Sequence, residues 1–152
     1  MACILLVAHA PLASALLAVA RHAFADCGDQ VWALDVAADI GLKEASDQVA
    51  TALAALPGPE VLVITDAFGA TPCNAVLAVV DGVRAGVHTR VVTGVNVPML
   101  WRTLCYAHLP LGELVTRAVD GGRQGIMQVS NPHRQNQPNP PPNDDPDANP
   151  DQ

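Results

Sequence analysis

Short apolar runs alternate with longer Ala/Leu/Val-rich stretches along residues 1–130, and this pattern predicts strands followed by helices. The short runs have the length and composition of buried strands and lie at residues 3–8, 31–36, 61–65 and 89–95. The longer stretches predict helices over residues 11–24, 43–56, 72–80, 98–108 and 112–120.

Proline and glycine mark the ends of these helices. Pro11, Thr71-Pro72 and Pro98 are suited to first helical turns, with Thr71 as a cap, because proline there lacks only an N–H that a helix start leaves unpaired. Pro57-Gly58-Pro59 stops the second helix, and Gly121-Gly122 is expected to end the last one.

Strands that alternate with helices predict a parallel sheet covered by helices on both faces. Four such units in residues 1–130 fit a flavodoxin-like, three-layer α/β sandwich with strand order 2-1-3-4, because a barrel needs about 250 residues. Residues 125–130 (GIMQVS) are a candidate fifth strand. No crossover long enough for a parallel strand precedes it, so we expect it to run antiparallel at an edge.

The chain divides into a folded domain, residues 1–130, and a tail, residues 131–152. The tail holds seven of the thirteen prolines and no aliphatic side chain larger than alanine. Such a segment cannot bury enough apolar surface to offset its ordering entropy, so we expect it to be disordered.

Charge excludes several classes of function. Eight Lys/Arg against fifteen Asp/Glu give a net charge of −7, which argues against nucleic acid or an anionic membrane as the main partner. Lys43 is the one lysine of the sequence, and no Gly-Lys-Ser/Thr loop is present, which excludes a nucleotide kinase of the usual kind.

The cysteines and the N-terminus indicate a cytoplasmic protein without a metal centre. Cys3, Cys27, Cys73 and Cys105 are far apart, so neither a zinc site nor a redox dithiol is predicted. The apolar N-terminal stretch has no basic residue before Arg21, unlike a secretory signal, and we expect no insertion into a membrane.

Two residues at strand ends carry the candidate chemistry. His9 follows the first strand and Asp66 the third, so both face the crevice at the switch point of the predicted sheet. Asp66 can accept a hydrogen bond from Nδ1–H of His9, which leaves the Nε2 lone pair as a nucleophile. The helix that begins at Thr71-Pro72 offers unpaired N–H groups to an anion, so a phosphoryl group on Nε2 could be held there.

Each of these residues also has a structural interpretation. His9 alone is more often a loop or core residue, Asp66 a turn former and Thr71 a cap, and it is their convergence that favours function. Cys73 could be an activated thiolate but is better explained by packing. The other histidines have no partner at metal-ligand spacing and are interpreted as structural or solvated; they are His22, His88, His108 and His133. No G-x-S-x-G motif supports a serine hydrolase.

Three segments resemble a known family: ILLVAHAPLASALL, VLVITDAFGATPCNAV and VVTGVNVPMLWRTL. They are similar to the IIA component of the mannose-type (mannose/fructose/sorbose) sugar phosphotransferase system, a likeness that covers residues 3–130. The resemblance implies that His9 carries a phosphoryl group received from the phosphocarrier protein HPr or a paralogue. It implies Asp66 as the hydrogen-bonding partner and Gly69 and Thr71 as phosphate-binding residues.

The same resemblance implies further site residues and partners. Ala67 and Phe68 of the second segment and Asn96 and Met99 of the third are expected to line the site. A IIB-type protein is the expected acceptor, and no cofactor is expected. The resemblance also implies a homodimer, because the family's homodimer exchanges its last strand between subunits. This chain departs from the family in having Ala10 where glycine commonly follows the histidine, and DAFGATP where DTWGGSP is frequent.

Other functions remain open at this stage. A stand-alone IIA protein could be regulatory, its phosphorylation state being recognised by partner proteins. The phosphotransfer subunit of a dihydroxyacetone kinase is a related alternative. The fold alone also permits a small-ligand-binding domain without covalent chemistry.

Overall fold

Strands and helices alternate along the chain in the computed structural model, which describes residues 1–24, 30–82 and 86–129. The order is β1 (Cys3–His9), α1 (Leu12–Ala23), β2 (Val31–Val36), α2 (Leu42–Ala55), β3 (Glu60–Thr65), α3 (Thr71–Val79), β4 (His88–Thr93), α4 (Val97–Cys105) and α5 (Leu111–Gln124).

The four strands form one parallel sheet in the order β2-β1-β3-β4, as the sequence predicts. β1 therefore has a neighbour on each side: Val7 pairs with Leu34 of β2 and with Thr65 of β3. This arrangement brings the carboxyl ends of β1, β2 and β3 to one edge, where the connections to α1, α2 and α3 begin.

The two faces of the sheet bury separate cores, because side chains alternate along a strand. Ile4, Leu6 and Ala8 of β1 belong to the cluster that includes residues of α1, α4 and α5. Leu5 and Val7 belong to the cluster on the other face, which includes residues of α2 and α3. The chain is thus a three-layer α/β sandwich, and the predicted fold class is confirmed.

The prediction that Gly121-Gly122 ends the last helix is wrong, since α5 continues to Gln124. Both glycines lie where α5 crosses α4 closely. A Cβ at Gly121 would overlap the side chain of Arg102, and one at Gly122 would lie 2.8 Å from Cε of Met99. Glycine costs about 1 kcal/mol in a helix interior, but here it permits the close approach of two helices.

Two other boundaries differ from the predicted ones. The cap of α3 is Ala70, so Thr71 is its first helical residue and not its cap. β4 ends at Thr93, two residues before the predicted end, because Gly94 has a φ of 86° and turns the chain.

The C-terminal predictions are partly outside the described residues. Residues 126–129 follow α5 without joining the sheet of this single chain, so the antiparallel edge strand is not formed there. A strand exchanged between subunits stays a prediction, as does the homodimer. The tail at residues 131–152, together with Cys27 and His133, lies outside the described part. Among the helices that the structure describes, none has an apolar stretch of the length needed to span a membrane.

Candidate phosphotransfer site

His9 and Asp66 meet at the carboxyl edge of the sheet. His9 is the last residue of β1, and Asp66 directly follows β3, the strand beside it. The parallel register of the two strands therefore places the two side chains next to each other. The imidazole is 48% exposed, whereas the carboxylate is 12% exposed. The histidine thus faces solvent while its partner is largely enclosed.

The hydrogen bonds fix how the imidazole is oriented. Nδ1 of His9 lies 2.6 Å from Oδ2 of Asp66, and the same oxygen accepts the backbone N–H of His9 at 2.9 Å. A carboxylate can only accept hydrogen bonds, so Nδ1 carries the proton. In the neutral ring the lone pair is then on Nε2, which makes no hydrogen bond within the described residues.

Asp66 is held as an anion. Burial alone would raise its pKa, because burial penalises the charged form. The backbone N–H and the imidazole of His9 and the N–H of Ala67 donate to the carboxylate and outweigh burial, so the pKa of Asp66 lies below its usual 3.8. At neutral pH the site therefore presents a negative charge to Nδ1–H.

A tight turn joins Asp66 to α3. The N–H of Ala67 donates to Oδ1 of Asp66 at 2.8 Å, and the N–H of Ala70 donates to the carbonyl of Ala67 at 3.3 Å. Gly69, the third residue of this turn, has a φ of 80°, which residues with a Cβ rarely adopt. Asn74 Nδ2 donates to the Gly69 carbonyl at 3.0 Å and braces the turn from the helix.

The start of α3 has hydrogen-bond donors to offer. No side chain caps it, and the N–H groups of Thr71 and Cys73 find no backbone acceptor within the described residues. The Thr71 hydroxyl is likewise without a hydrogen bond in that part of the chain, and Thr71 is partly exposed. Unpaired N–H groups and the positive end of the helix dipole favour an anion at such a position.

The sequence profile of the family described as "PTS system fructose IIA component" matches residues 3–119, where PTS is the phosphotransferase system. The chain belongs to this family. It is therefore a IIA component of the sugar phosphotransferase system, which supports a phosphotransferase role in sugar transport. A comparison with curated protein sequences gives no match.

Solved structures of IIA proteins have the same fold. The mannose/sorbose specific IIA subunit from Enterococcus faecalis is 23% identical with a TM-score of 0.76, over 86% of this chain and 96% of that one. The component EIIA from Streptococcus agalactiae is 22% identical with a TM-score of 0.74, over 84% and 97%. The PTS IIA protein associated with the fucose utilization operon from Streptococcus pneumoniae is 25% identical with a TM-score of 0.60, over 89% and 98%.

The structure of this IIA chain separates the expected lining residues into two groups. Ala67 and Phe68 lie in the turn after Asp66, and Phe68 is 79% exposed. Asn96 is instead the cap of α4: its Oδ1 accepts the Met99 N–H at 2.9 Å, and its Nδ2 donates to the Gly122 carbonyl at 3.1 Å. Met99 is 5% exposed and belongs to the core. These contacts pack α4 against α5, and no hydrogen bond within the described residues joins Asn96 or Met99 to His9 or Asp66, so the expected lining role of the two residues gains no support here and stays a prediction.

Sequence reasoning missed Asn74 as a support of the site. Its signal was present: Asn74 is an isolated amide among the apolar residues of TPCNAVLAV, five positions after Gly69. Cys73 is 2% exposed and packs inside the fold, which agrees with its structural interpretation. No group of three or more His, Cys, Asp or Glu side chains that could hold a metal ion occurs among the described residues.

Proposed function

We propose that His9 accepts a phosphoryl group from HPr or a paralogue and donates it to a IIB-type protein. The observation that carries this proposal is the pairing of Nδ1 of His9 with Oδ2 of Asp66 at 2.6 Å, on an imidazole that is half exposed and whose Nε2 makes no hydrogen bond within the described residues. Family membership supports the same role, since the chain is a IIA component of the phosphotransferase system.

The transfer is an in-line exchange of one N–P bond for another. The Nε2 lone pair of His9 attacks the phosphorus of the donor phosphohistidine, and the electron pair of the breaking bond returns to the donor imidazole. Nothing is oxidised or reduced. The proton stays on Nδ1, so the phosphorylated ring of His9 gains positive charge, which the Asp66 anion offsets.

The openness of the site favours a protein as phosphoryl donor. The His9 side chain is 48% exposed, so the phosphohistidine of another protein can approach it directly. The uncapped start of α3 supplies N–H groups for the phosphoryl oxygens, together with the Thr71 hydroxyl. Gly69 gives the turn before α3 the backbone conformation that this arrangement requires.

The test is phosphorylation with enzyme I, HPr and labelled phosphoenolpyruvate. We expect one acid-labile, base-stable label on His9, and we expect His9→Ala to abolish it without changing the circular dichroism. His22→Ala is the matched control, because His22 is exposed near the end of α1. Transfer onward is tested by adding a purified mannose-type IIB protein, which should remove the label. Unchanged labelling of His9→Ala would contradict the proposal.

A homodimer built through the C-terminal segment is part of the proposal. Ile126, Met127 and Val129 are 78%, 71% and 83% exposed in the single chain, an unusual exposure for three large apolar side chains within four residues. Truncation after Gln124 should halve the mass measured by sedimentation, whereas truncation after Ser130 should not. Equal masses for both truncations would exclude this segment from the interface.

A further inference from the structure

The connection between β1 and α1 is held by two carboxylates, one in β2 and one directly after β3. On the β3 side, Asp66 accepts the backbone N–H of His9 at 2.9 Å. On the β2 side, Asp35 Oδ1 accepts the backbone N–H of Ser14 at 3.1 Å. The reactive histidine and the first turn of the following helix are therefore tied to both strands that flank β1.

Asp35 supplies a cap that α1 does not provide for itself. The residue at the cap position is Pro11, whose side chain cannot accept a hydrogen bond. Ser14 is the third residue of α1, where an N–H has no acceptor within the helix. A carboxylate placed there satisfies that donor and interacts favourably with the positive end of the helix dipole.

Backbone contacts bring β2 to the same connection. Ala8 pairs with Asp35 and His9 with Val36 in the parallel register. The N–H of Ala10 donates to the Val36 carbonyl at 2.9 Å. Residues on both sides of Pro11 thus hydrogen bond to the end of β2.

We propose that Asp35 is a positioning residue for phosphoryl transfer, a role that rests on the proposed function of His9. Asp66 fixes the imidazole directly, and Asp35 fixes the backbone that follows it. If the Ser14 N–H loses its acceptor, the first turn of α1 loosens and the imidazole samples orientations away from Asp66. A small misplacement of a reacting group is enough to slow a reaction severely.

Three substitutions separate the hydrogen bond from the charge. Asp35→Ala and Asp35→Val both remove the acceptor, and valine is in addition well suited to a strand if the alanine variant folds poorly. Asp35→Asn keeps an oxygen that can accept the Ser14 N–H but removes the charge. Asp39→Ala is the matched control, since Asp39 follows the same strand, is exposed and has no side-chain hydrogen bond within the described residues.

Two measurements are made on each variant. Single-turnover transfer from phospho-HPr gives the rate, and the imidazole ¹⁵N resonances of unphosphorylated His9 report which ring nitrogen carries the proton. We expect Asp35→Ala and Asp35→Val to transfer about tenfold more slowly and to show mixed tautomers. Asp35→Asn and Asp39→Ala should stay within about twofold of the wild type, with the proton on Nδ1.

The results distinguish this inference from the proposed function. If phospho-HPr does not phosphorylate the wild-type chain, the proposed function of His9 is overturned. The tautomer of His9 in the Asp35 variants would still test whether Asp35 positions the imidazole. Wild-type rates and a single tautomer in Asp35→Ala and Asp35→Val would overturn the role of Asp35. So would a slower rate with an unchanged tautomer, or Asp35→Asn as slow as Asp35→Ala.

Discussion

α3 and α4 begin in similar ways at the same edge of the sheet, yet their first turns are used differently. Each follows a parallel strand and a turn with a positive-φ glycine, Gly69 before α3 and Gly94 before α4. Each has proline in its first turn. In α4 the side chain of Asn96 accepts the N–H of Met99, whereas no side chain caps α3.

The difference concerns the hydrogen-bond donors that each helix start leaves without an acceptor. The first N–H groups of a helix need an acceptor from a side chain, from water or from a bound anion. α4 receives one from Asn96, which also hydrogen bonds to the Gly122 carbonyl and so joins α4 to α5. α3 leaves its donors open beside His9 and Asp66. One helix start contributes to packing, and the other is suited to a phosphoryl group.

The largest effect on phosphoryl transfer should come from substitutions of Asp66. Asp66→Asn keeps the size of the side chain but loses the charge, and its amide can present a donor that favours the wrong tautomer of His9. We expect single-turnover transfer from phospho-HPr to slow about 10²- to 10³-fold. Asp66→Ala should be slowed similarly, with a somewhat higher residual rate because water can enter.

Both Asp66 variants should remain folded, as judged by circular dichroism. Asp81→Asn is a suitable control, since Asp81 is an exposed aspartate in the turn after α3. Rates within threefold of the wild type for both Asp66 variants would reduce Asp66 to a turn residue.

The next largest effect should be a loss of stability when the cap of α4 is removed. Asn96→Ala removes the cap of α4 and the hydrogen bond to the Gly122 carbonyl. We expect it to lower the free energy of unfolding by about 2 kcal/mol in urea, with the transfer rate unchanged. Asn96→Ser, which can still cap the helix, should recover part of the loss. A slower transfer in a stable Asn96→Ala protein would place Asn96 in the site after all.

Thr71 lies at the start of α3, which has no side-chain cap, as Asn96 lies at the start of α4. Thr71→Val keeps the shape and removes the hydroxyl, and we expect about tenfold slower transfer. Because this hydroxyl makes no hydrogen bond within the described residues, thermal unfolding should hardly change. Thr71→Ser keeps the hydroxyl and should transfer like the wild type. A loss of stability without a loss of rate would reverse the contrast between the two helices.

The sequence predicted the sheet and the His9–Asp66 pair because both follow from local patterns. Buried strands are recognisable as short apolar runs, and parallel topology fixes which strand ends meet. Residues 3–8 and 61–65, predicted as strands, lie within β1 and β3 and extend almost to the observed strand ends. The pairing of His9 with Asp66 therefore followed from the fold class.

The details of helix starts and helix crossings depend on contacts between distant residues. Asn96 bonds to Gly122 and Ser14 to Asp35, partners that are 26 and 21 positions away in sequence. Gly121 and Gly122 resembled a helix end. α5 continues through them, and their lack of a Cβ allows it to pass close to α4. A single sequence gives the local preference of such residues, whereas tertiary contacts decide their use.

The smallest effect we predict is in the pH dependence of stability, and it concerns Asp66. The pKa of Asp66 in the folded chain is lowered from the usual 3.8, although burial opposes this, because His9 and Ala67 donate hydrogen bonds to the anion. A lowered folded-state pKa means that the ionised carboxylate stabilises the fold fully above the usual value. This contribution is lost as the pH falls from there through the folded-state pKa. The gap in unfolding free energy between the wild type and Asp66→Asn should therefore narrow as the pH falls below about 4. Urea unfolding at pH values on both sides of pH 4 measures this gap, and a gap that does not narrow below about pH 4 would mean that the hydrogen bonds from His9 and Ala67 do not hold the carboxylate as an anion.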